Sequence, residues 1–498
     1  MKTNKLILLL FVVFAGISCS DEFFNVETTQ NTTAEAAAKA ADEDPSKIAS
    51  FIDAIYNVLV QYDLYSTSHD AFGYMAILHA TDMMSEDIVM TPLHWFNFDY
   101  LHSNREWDYR RTNVIWRYFY TAISSANNVL GMTSAESTSK DVLVLRGQAL
   151  ALRAFSYFYL VQLYQHVYPV VNSGTDLPGV PLYYANNEEQ ESITARASVQ
   201  TILAQIEEDL TTAVANLEGW SRSSKNQVDY NVANGLLARY CLLTQQWSNA
   251  IAAAQKARTG YPIMSATGIY DGFFNINNTE WLWGFDHNAE TTTLYASFFS
   301  HISNLTGGYA GLNYAARLVD KRLYENIPAS DARKEWFQNA TASLTPRTTP
   351  ASAAISWKLP YAALKFGYDG AFAQDYLYMR ASELVLIEAE ALAHLGRGGE
   401  AATLLRTELL SKRDPSWNQS SVTVDDVHLQ RRIELWGEGF ATFDLKRLNK
   451  GIDRTYSGTN HYASAQFKID AGDKRWIYRI PQSEIQENAD ISEDDNNE

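Results

Sequence analysis

The chain has little cysteine, no surplus of positive charge and no apolar run long enough to cross a membrane. Two cysteines occur in 498 residues, Cys19 and Cys241. A disulfide framework is therefore excluded, and the fold must stand on a large packed core, which a chain of this length can build. Lysine and arginine number 40 against 58 aspartates and glutamates, a formal net charge of -18. That balance argues against nucleic acid, whose binding rests on cations that neutralise phosphates. It equally disfavours direct adhesion to anionic lipid headgroups. The longest apolar run, residues 6–17, falls short of the about 20 residues that a spanning helix needs. Catalytic signatures are missing as well: there is no His-Glu-x-x-His, no Gly-x-Ser-x-Gly and no phosphate loop. The histidines show no metal-ligand spacing, and Glu493-Asp494-Asp495 lacks the glycine and spacing of a calcium loop and reads as a solvated tail. No cofactor and no metal are expected.

What is present begins at the amino terminus. Lys2 and Lys5 precede the apolar run, and Gly16 and Ser18 place small residues just before Cys19. A basic start, a short apolar core and a small-residue exit describe a signal peptide over residues 1–18. A cysteine directly after that exit resembles the bacterial lipobox, which implies cleavage there and a lipid on Cys19. The alternative is an ordinary secreted protein with an incidental cysteine. Lipid would anchor the chain to a membrane without spanning it, each buried methylene contributing about 0.8 kcal/mol. Ser20-Asp21-Glu22 resembles the surface-export signal of Bacteroidetes lipoproteins. Residues 19–48 then read as a tether with a first short helix, and 49–498 as a single domain.

Most of that domain is predicted helical. Apolar residues recur at helical spacing from 113 to 130, ending at Gly131. A second helix is expected over roughly 140–167, with Leu145, Ala149, Leu152, Phe155, Tyr159 and Leu163 on one face and more apolar residues on the others, closed by Pro169. An internal repeat follows. In residues 232–258, Ala238 and Ala250 stand twelve apart; in 380–409, Ala389 and Ala401 do the same. Small residues at that spacing let two helices of a hairpin approach closely, as in the tetratricopeptide repeat, although an ordinary helical hairpin fits too. The fold class is thus mainly α, a tetratricopeptide-like scaffold over 49–260 and 376–450. Residues 261–375 lose the helical period and read as a loop-rich excursion, with a short strand at 281–285.

Aromatic residues are abundant: 12 Trp, 29 Tyr and 22 Phe. Most must be core. A sugar offers apolar C–H faces and a rim of hydroxyls, so a glycan binder needs flat rings flanked by hydrogen-bonding side chains. Two loops supply both. The first holds Trp95, Phe96, Asp99 and Tyr100; the second holds Tyr309, Asn313 and Tyr314, with Trp283 on the nearby strand. Glu434 and Glu438 could pass for paired catalytic carboxylates. Arg431, Arg432 and Arg447 nearby favour an ionised structural network instead, because a general acid needs its pKa raised.

Arg431-Arg432-Ile433-Glu434-Leu435-Trp436-Gly437-Glu438-Gly439, followed by Phe443-Asp444-Leu445-Lys446-Arg447, resembles the carboxy-terminal signature of the SusD/RagB family. Tyr378-Met379-Arg380-Ala381-Ser382-Glu383 and Ile480-Pro481-Gln482-Ser483-Glu484-Ile485 agree with it. The resemblance implies a surface lipoprotein of the outer membrane, facing the cell exterior. Its partner would be a TonB-dependent, SusC-like transporter and its ligand an oligosaccharide, or a peptide in some members. No catalysis is implied; a surface glycoside hydrolase is the competing reading from the residues alone. The early loop matches one that bears ligand contacts in the family, whereas the second loop has Tyr309 where a Trp is frequent.

Overall fold

The computed structural model describes residues 39, 41–62, 64–92, 94–312 and 315–498. The signal-peptide and Cys19 expectations lie outside the described residues. The main helices are α1 (Ser46–Val60), α2 (Tyr74–Met84), α3 (Arg110–Gly131), α4 (Lys140–Tyr164), α5 (Val199–Leu217), α6 (Tyr230–Leu243), α7 (Trp247–Arg258), α8 (Ala381–His394), α9 (Gly398–Leu404), α10 (Val424–Glu434) and α11 (Ala441–Arg447). From α4 to α9 each of these helices packs on the one named before it, and the outcome is a tetratricopeptide-like stack of antiparallel hairpins. Side-chain oxygens start several of them: Ser139, Ser198 and Asp229 accept from the backbone amides of Val142, Thr201 and Val232, and Thr423 forms a capping box with Asp426.

α4 is buried on nearly every side, as its all-round apolar pattern requires. It ends at Tyr164, earlier than predicted. Gln165 is extended and its side chain donates to the Pro178 carbonyl at 2.8 Å. Pro169 does not close this helix; it opens the next short one, Tyr168–Ser173.

The repeat is carried by its turns as much as by its alanines. Ala238, Ala250, Ala389 and Ala401 are fully buried. Gln245 and Gly396, each seven residues after the first alanine of its copy, take φ of 59° and 74°. The next amide reaches back to the matching carbonyl in both copies: Gln246 to Cys241 at 2.8 Å and Arg397 to Leu392 at 2.9 Å. The first copy thus holds a left-handed glutamine where the second uses glycine, which adopts that conformation without a Cβ penalty.

Two antiparallel strand pairs bind the excursion to the scaffold. β1 (Ile88–Met90), directly after α2, pairs with β3 (Arg317–Val319) in the register Met90↔Arg317. β2 (Trp281–Phe285) pairs with β4 (Tyr376–Arg380), which leads into α8. Behind them lies a buried ionic network. Glu434 meets Arg333, Arg380 and Arg413 at 3.1, 2.8 and 2.9 Å. Glu438 meets Arg380 and Lys365 at 2.8 and 2.5 Å. A structural network exists, but its cations come from distant segments. Arg431 and Arg447 pair with Asp444, and Arg432 with Glu86 and Asp87. Burial pushes the Glu434 carboxyl up, yet Arg413, Arg380 and Arg333 together hold it well below the usual carboxylate range, the wrong direction for a general acid.

Gly437 and Gly439, at φ of 77° and 91°, break the chain between α10 and α11. The Gly439 amide donates to Asp82 of α2 at 2.7 Å. The acidic run Glu493-Asp494-Asp495 is exposed, but the tail is docked through Asn497, which donates to the Tyr164 and Tyr478 carbonyls at 2.7 Å each. Among the described residues no helix is long and apolar enough to cross a membrane.

Candidate functional site

The β1–β3 pair brings together two loops more than 200 residues apart in sequence. Trp95 lies five residues beyond Met90, and Tyr309 eight residues before Arg317. A third loop joins them, closed by an isolated bridge between Tyr62 and Phe72, and carries His69. A fourth segment, before the short helix Phe298–Ile302, supplies Tyr295.

The rings converge. Tyr309 lies 4.4 Å from the His94 ring, 5.2 Å from Tyr295 and 6.4 Å from Trp95, centroid to centroid. His69 stacks on Tyr295 at 5.6 Å and lies 5.7 Å from Trp95. Tyr295 is 40% exposed, and Trp95, Tyr309, His69 and His94 are half-buried, so all keep an open face. A cavity of about 290 Å³ opens beside them, lined by Tyr62, Thr67, Ser68, His69 and residues 293–296. No charged side chain lines it among the described residues.

Local sequence explains how the rings are presented. Gly308 and Gly311 let the second loop fold tightly: a Cβ on Gly311 would sit 1.8 Å from the Thr306 carbonyl oxygen, and one on Gly308 2.4 Å from the Ser300 hydroxyl. In the first loop Phe96 takes φ of 71°, a left-handed conformation costing a β-carbon residue about 1–2 kcal/mol. That turn leaves Trp95 outward and drives Phe96 into contact with His79 and His301. His301 lies beneath the site, its Nε2–H donating to the His69 carbonyl at 2.8 Å and its ring 5.0 Å from Tyr309. Burial, reinforced by Arg317, pushes His301 down to about 3, so it is neutral. Arg317 is fully buried, donates to His79 at 3.1 Å, and has no carboxylate partner among the described residues. It also adds to the downward shift that burial causes at His94.

Four predicted contacts serve the interior instead, and for them the expectation of ligand contact gives way to a structural role. Phe96 is buried as described. Asp99 accepts from Arg111 at 3.1 and 3.0 Å, and Arg111 reaches on to Asp70 at 2.7 Å, clamping the first and third loops together. Tyr100 is fully buried, stacked on His461 with the Arg454 guanidinium 4.3 Å above its ring. Trp283 is fully buried on β2, edge-on to Phe155 and Tyr378, and donates to the Asn226 carbonyl at 2.9 Å. Asn313 and Tyr314 lie outside the described residues. Trp95 and Tyr309 come together at the surface. His69, His94 and Tyr295 were missed; His94 stood beside Trp95, and the threonine run 291–293 just before Leu294 and Tyr295 was the available sign of the last.

Residues 29–242 match the family described as starch-binding, associating with outer membrane, and residues 361–497 match the SusD family. The chain belongs to the SusD/RagB family. It is a carbohydrate-binding family associated with the outer membrane. Among solved structures, a SusD-like carbohydrate binding protein from Bacteroides vulgatus is 25% identical over 90% of this chain and 97% of its own, with a TM-score of 0.73. Surface glycan-binding protein A from Bacteroides uniformis shares the fold at 17% identity and a TM-score of 0.65, over 91% of this chain and 99% of its own. A laminarin binding SusD-like protein does so at 18% and 0.62, over 89% and 97%. No curated protein matches the chain.

Proposed function

We propose that the protein captures an oligosaccharide on the face formed by Trp95, Tyr295, Tyr309, His69 and His94, and passes it unaltered to a TonB-dependent outer-membrane transporter. The observation that carries this reading is the convergence of rings from four separate segments on one open surface, lined by no charged side chain among the described residues. Flat rings stack on sugar C–H faces, and the Thr67 and Ser68 hydroxyls can meet the hydroxyl rim. Hydrolysis by paired carboxylates needs two such groups flanking the bond. Asp70, next to His69, and Asp99, four residues after Trp95, are engaged by Arg110 and Arg111. A lipid on Cys19 would hold the protein at the outer membrane, facing the exterior, as the amino-terminal pattern of the sequence implies.

The test is a glycan array run beside a peptide library with purified protein, followed by mass analysis of the retained ligand. Retention of a glycan at unchanged mass is expected. Retention of peptides alone, or release of shortened glycan, would overturn the reading.

A further inference from the structure

The segment that carries His69 also lines a second and larger groove, through Tyr65. Its volume is about 890 Å³. The floor is the outer face of α3, where Arg117, Thr121, Ser124 and Asn128 follow one another at helical spacing. Tyr183, Tyr184 and Asn186, from the connection before α5, flank it.

This groove is built, not merely open. The Tyr120 ring lies 4.8 Å from Trp116 and 5.8 Å from Tyr183. Tyr120 donates to the Pro181 carbonyl at 2.8 Å, Trp116 donates to Glu484 at 3.1 Å, and the Arg117 guanidinium covers Tyr65 at 4.4 Å. The rings are thus fixed before any ligand arrives, which lowers the ordering cost of binding. The side chains of Ser124, Asn128 and Asn186, by contrast, have no hydrogen-bond partner within the described protein. Ordered rings beside free amide and hydroxyl groups, with Arg117 lying over Tyr65 and Glu484 accepting from Trp116, fit a neutral polyhydroxylated ligand. Among the described residues no strand edge lines the groove, so an extended peptide would find no backbone ladder there.

Tyr65 and His69 are four positions apart, so their Cα atoms lie within about 14 Å of each other. Asp70, next to His69, is bound by Arg110 and Arg111 at the start of α3 at 2.8 and 2.7 Å. One pinned segment therefore forms a wall of both sites. We propose that the α3 groove is a second contact region for the same neutral glycan, engaged when the chain is long enough to continue past His69 onto Tyr65 and Tyr183. The proposal rests on the ring face being a glycan site. Linking two weak contacts through one ligand raises affinity by making the second intramolecular.

Soluble starch and laminarin are the probes, with short oligosaccharides cut from each. Ser124→Arg fills the groove from an exposed helical position, and Tyr183→Ala removes a wall; Trp95→Ala removes the first site. Both groove variants should lose about tenfold in affinity for the polymer and nothing for the short oligosaccharide, whereas Trp95→Ala should lose both. In the unmodified protein the polymer, but not the short oligosaccharide, should slow hydrogen exchange at residues 183–186. Polymer affinity unchanged in both groove variants, with no exchange protection, overturns the second region and leaves the first intact. Loss of binding in the groove variants with Trp95→Ala silent overturns the ring face instead. If the unmodified protein retains neither polymer, both readings fall.

Discussion

The Tyr309 hydroxyl oxygen and the His69 Nδ1 lie 2.5 Å apart, a hydrogen bond between residues 240 positions apart in the chain. It ties the ring of the excursion to the loop of the scaffold. Tyr309→Phe keeps the ring and loses the bond, a net contribution of about 0.5–1.5 kcal/mol. Glycan affinity should fall several-fold. Tyr309→Ala, which also removes the stacking face, should lower it further, and calorimetric titration separates the two.

Trp95→Ala and Tyr295→Ala should each weaken glycan retention about tenfold, with melting temperature nearly unchanged, since both rings are partly open to solvent. Tyr100→Ala should do the reverse. Its ring is fully buried, and truncating a buried aromatic costs about 3–5 kcal/mol. A large drop in melting temperature is expected, checked by circular dichroism.

The contrast between Trp95 and Tyr100 shows what the sequence could disclose. Helices were legible because apolar period is local, as in α4. The excursion was legible as a loss of that period. Inside the first ring loop, local pattern fails. Trp95 and Phe96 are neighbours, yet a left-handed turn at Phe96 sends them to opposite sides. Asp99 is drawn inward by Arg111, and Tyr100 by His461 and Arg454, partners that spacing does not reveal. Tyr295 and His69 join the site only through strand pairing and loop closure. The Glu434 network follows the same rule: its charge balance was readable nearby, but Arg333, Arg380 and Arg413 arrive through the fold.

Glu434→Gln should be severely destabilising near neutral pH, by about 3–5 kcal/mol, because it leaves three buried guanidiniums without their shared carboxylate. The folded carboxyl sits well below its ordinary 4.5. The folded chain therefore binds fewer protons than the unfolded one around and below that value. The contribution is complete above about pH 4.5 and is lost as pH falls through the depressed folded value. Melting curves between about pH 7 and pH 3 should show a steep acid decline in the parent and a shallower one in Glu434→Gln.

Gly311→Ala should reduce glycan binding without touching a ring. A Cβ there meets the Thr306 carbonyl oxygen at 1.8 Å, so the loop must shift and Tyr309 with it. Weaker titration with a modest fall in melting temperature is expected. Unchanged binding would show that the loop tolerates displacement.

The most direct measurement is calorimetric titration of a Trp95→Ala, Tyr295→Ala, Tyr309→Ala triple variant with the polysaccharide that the unmodified protein retains. Loss of measurable heat, in a protein whose circular dichroism and melting temperature stay close to the parent, is the predicted result. Binding of parental strength in that folded variant would contradict the assignment of capture to these rings.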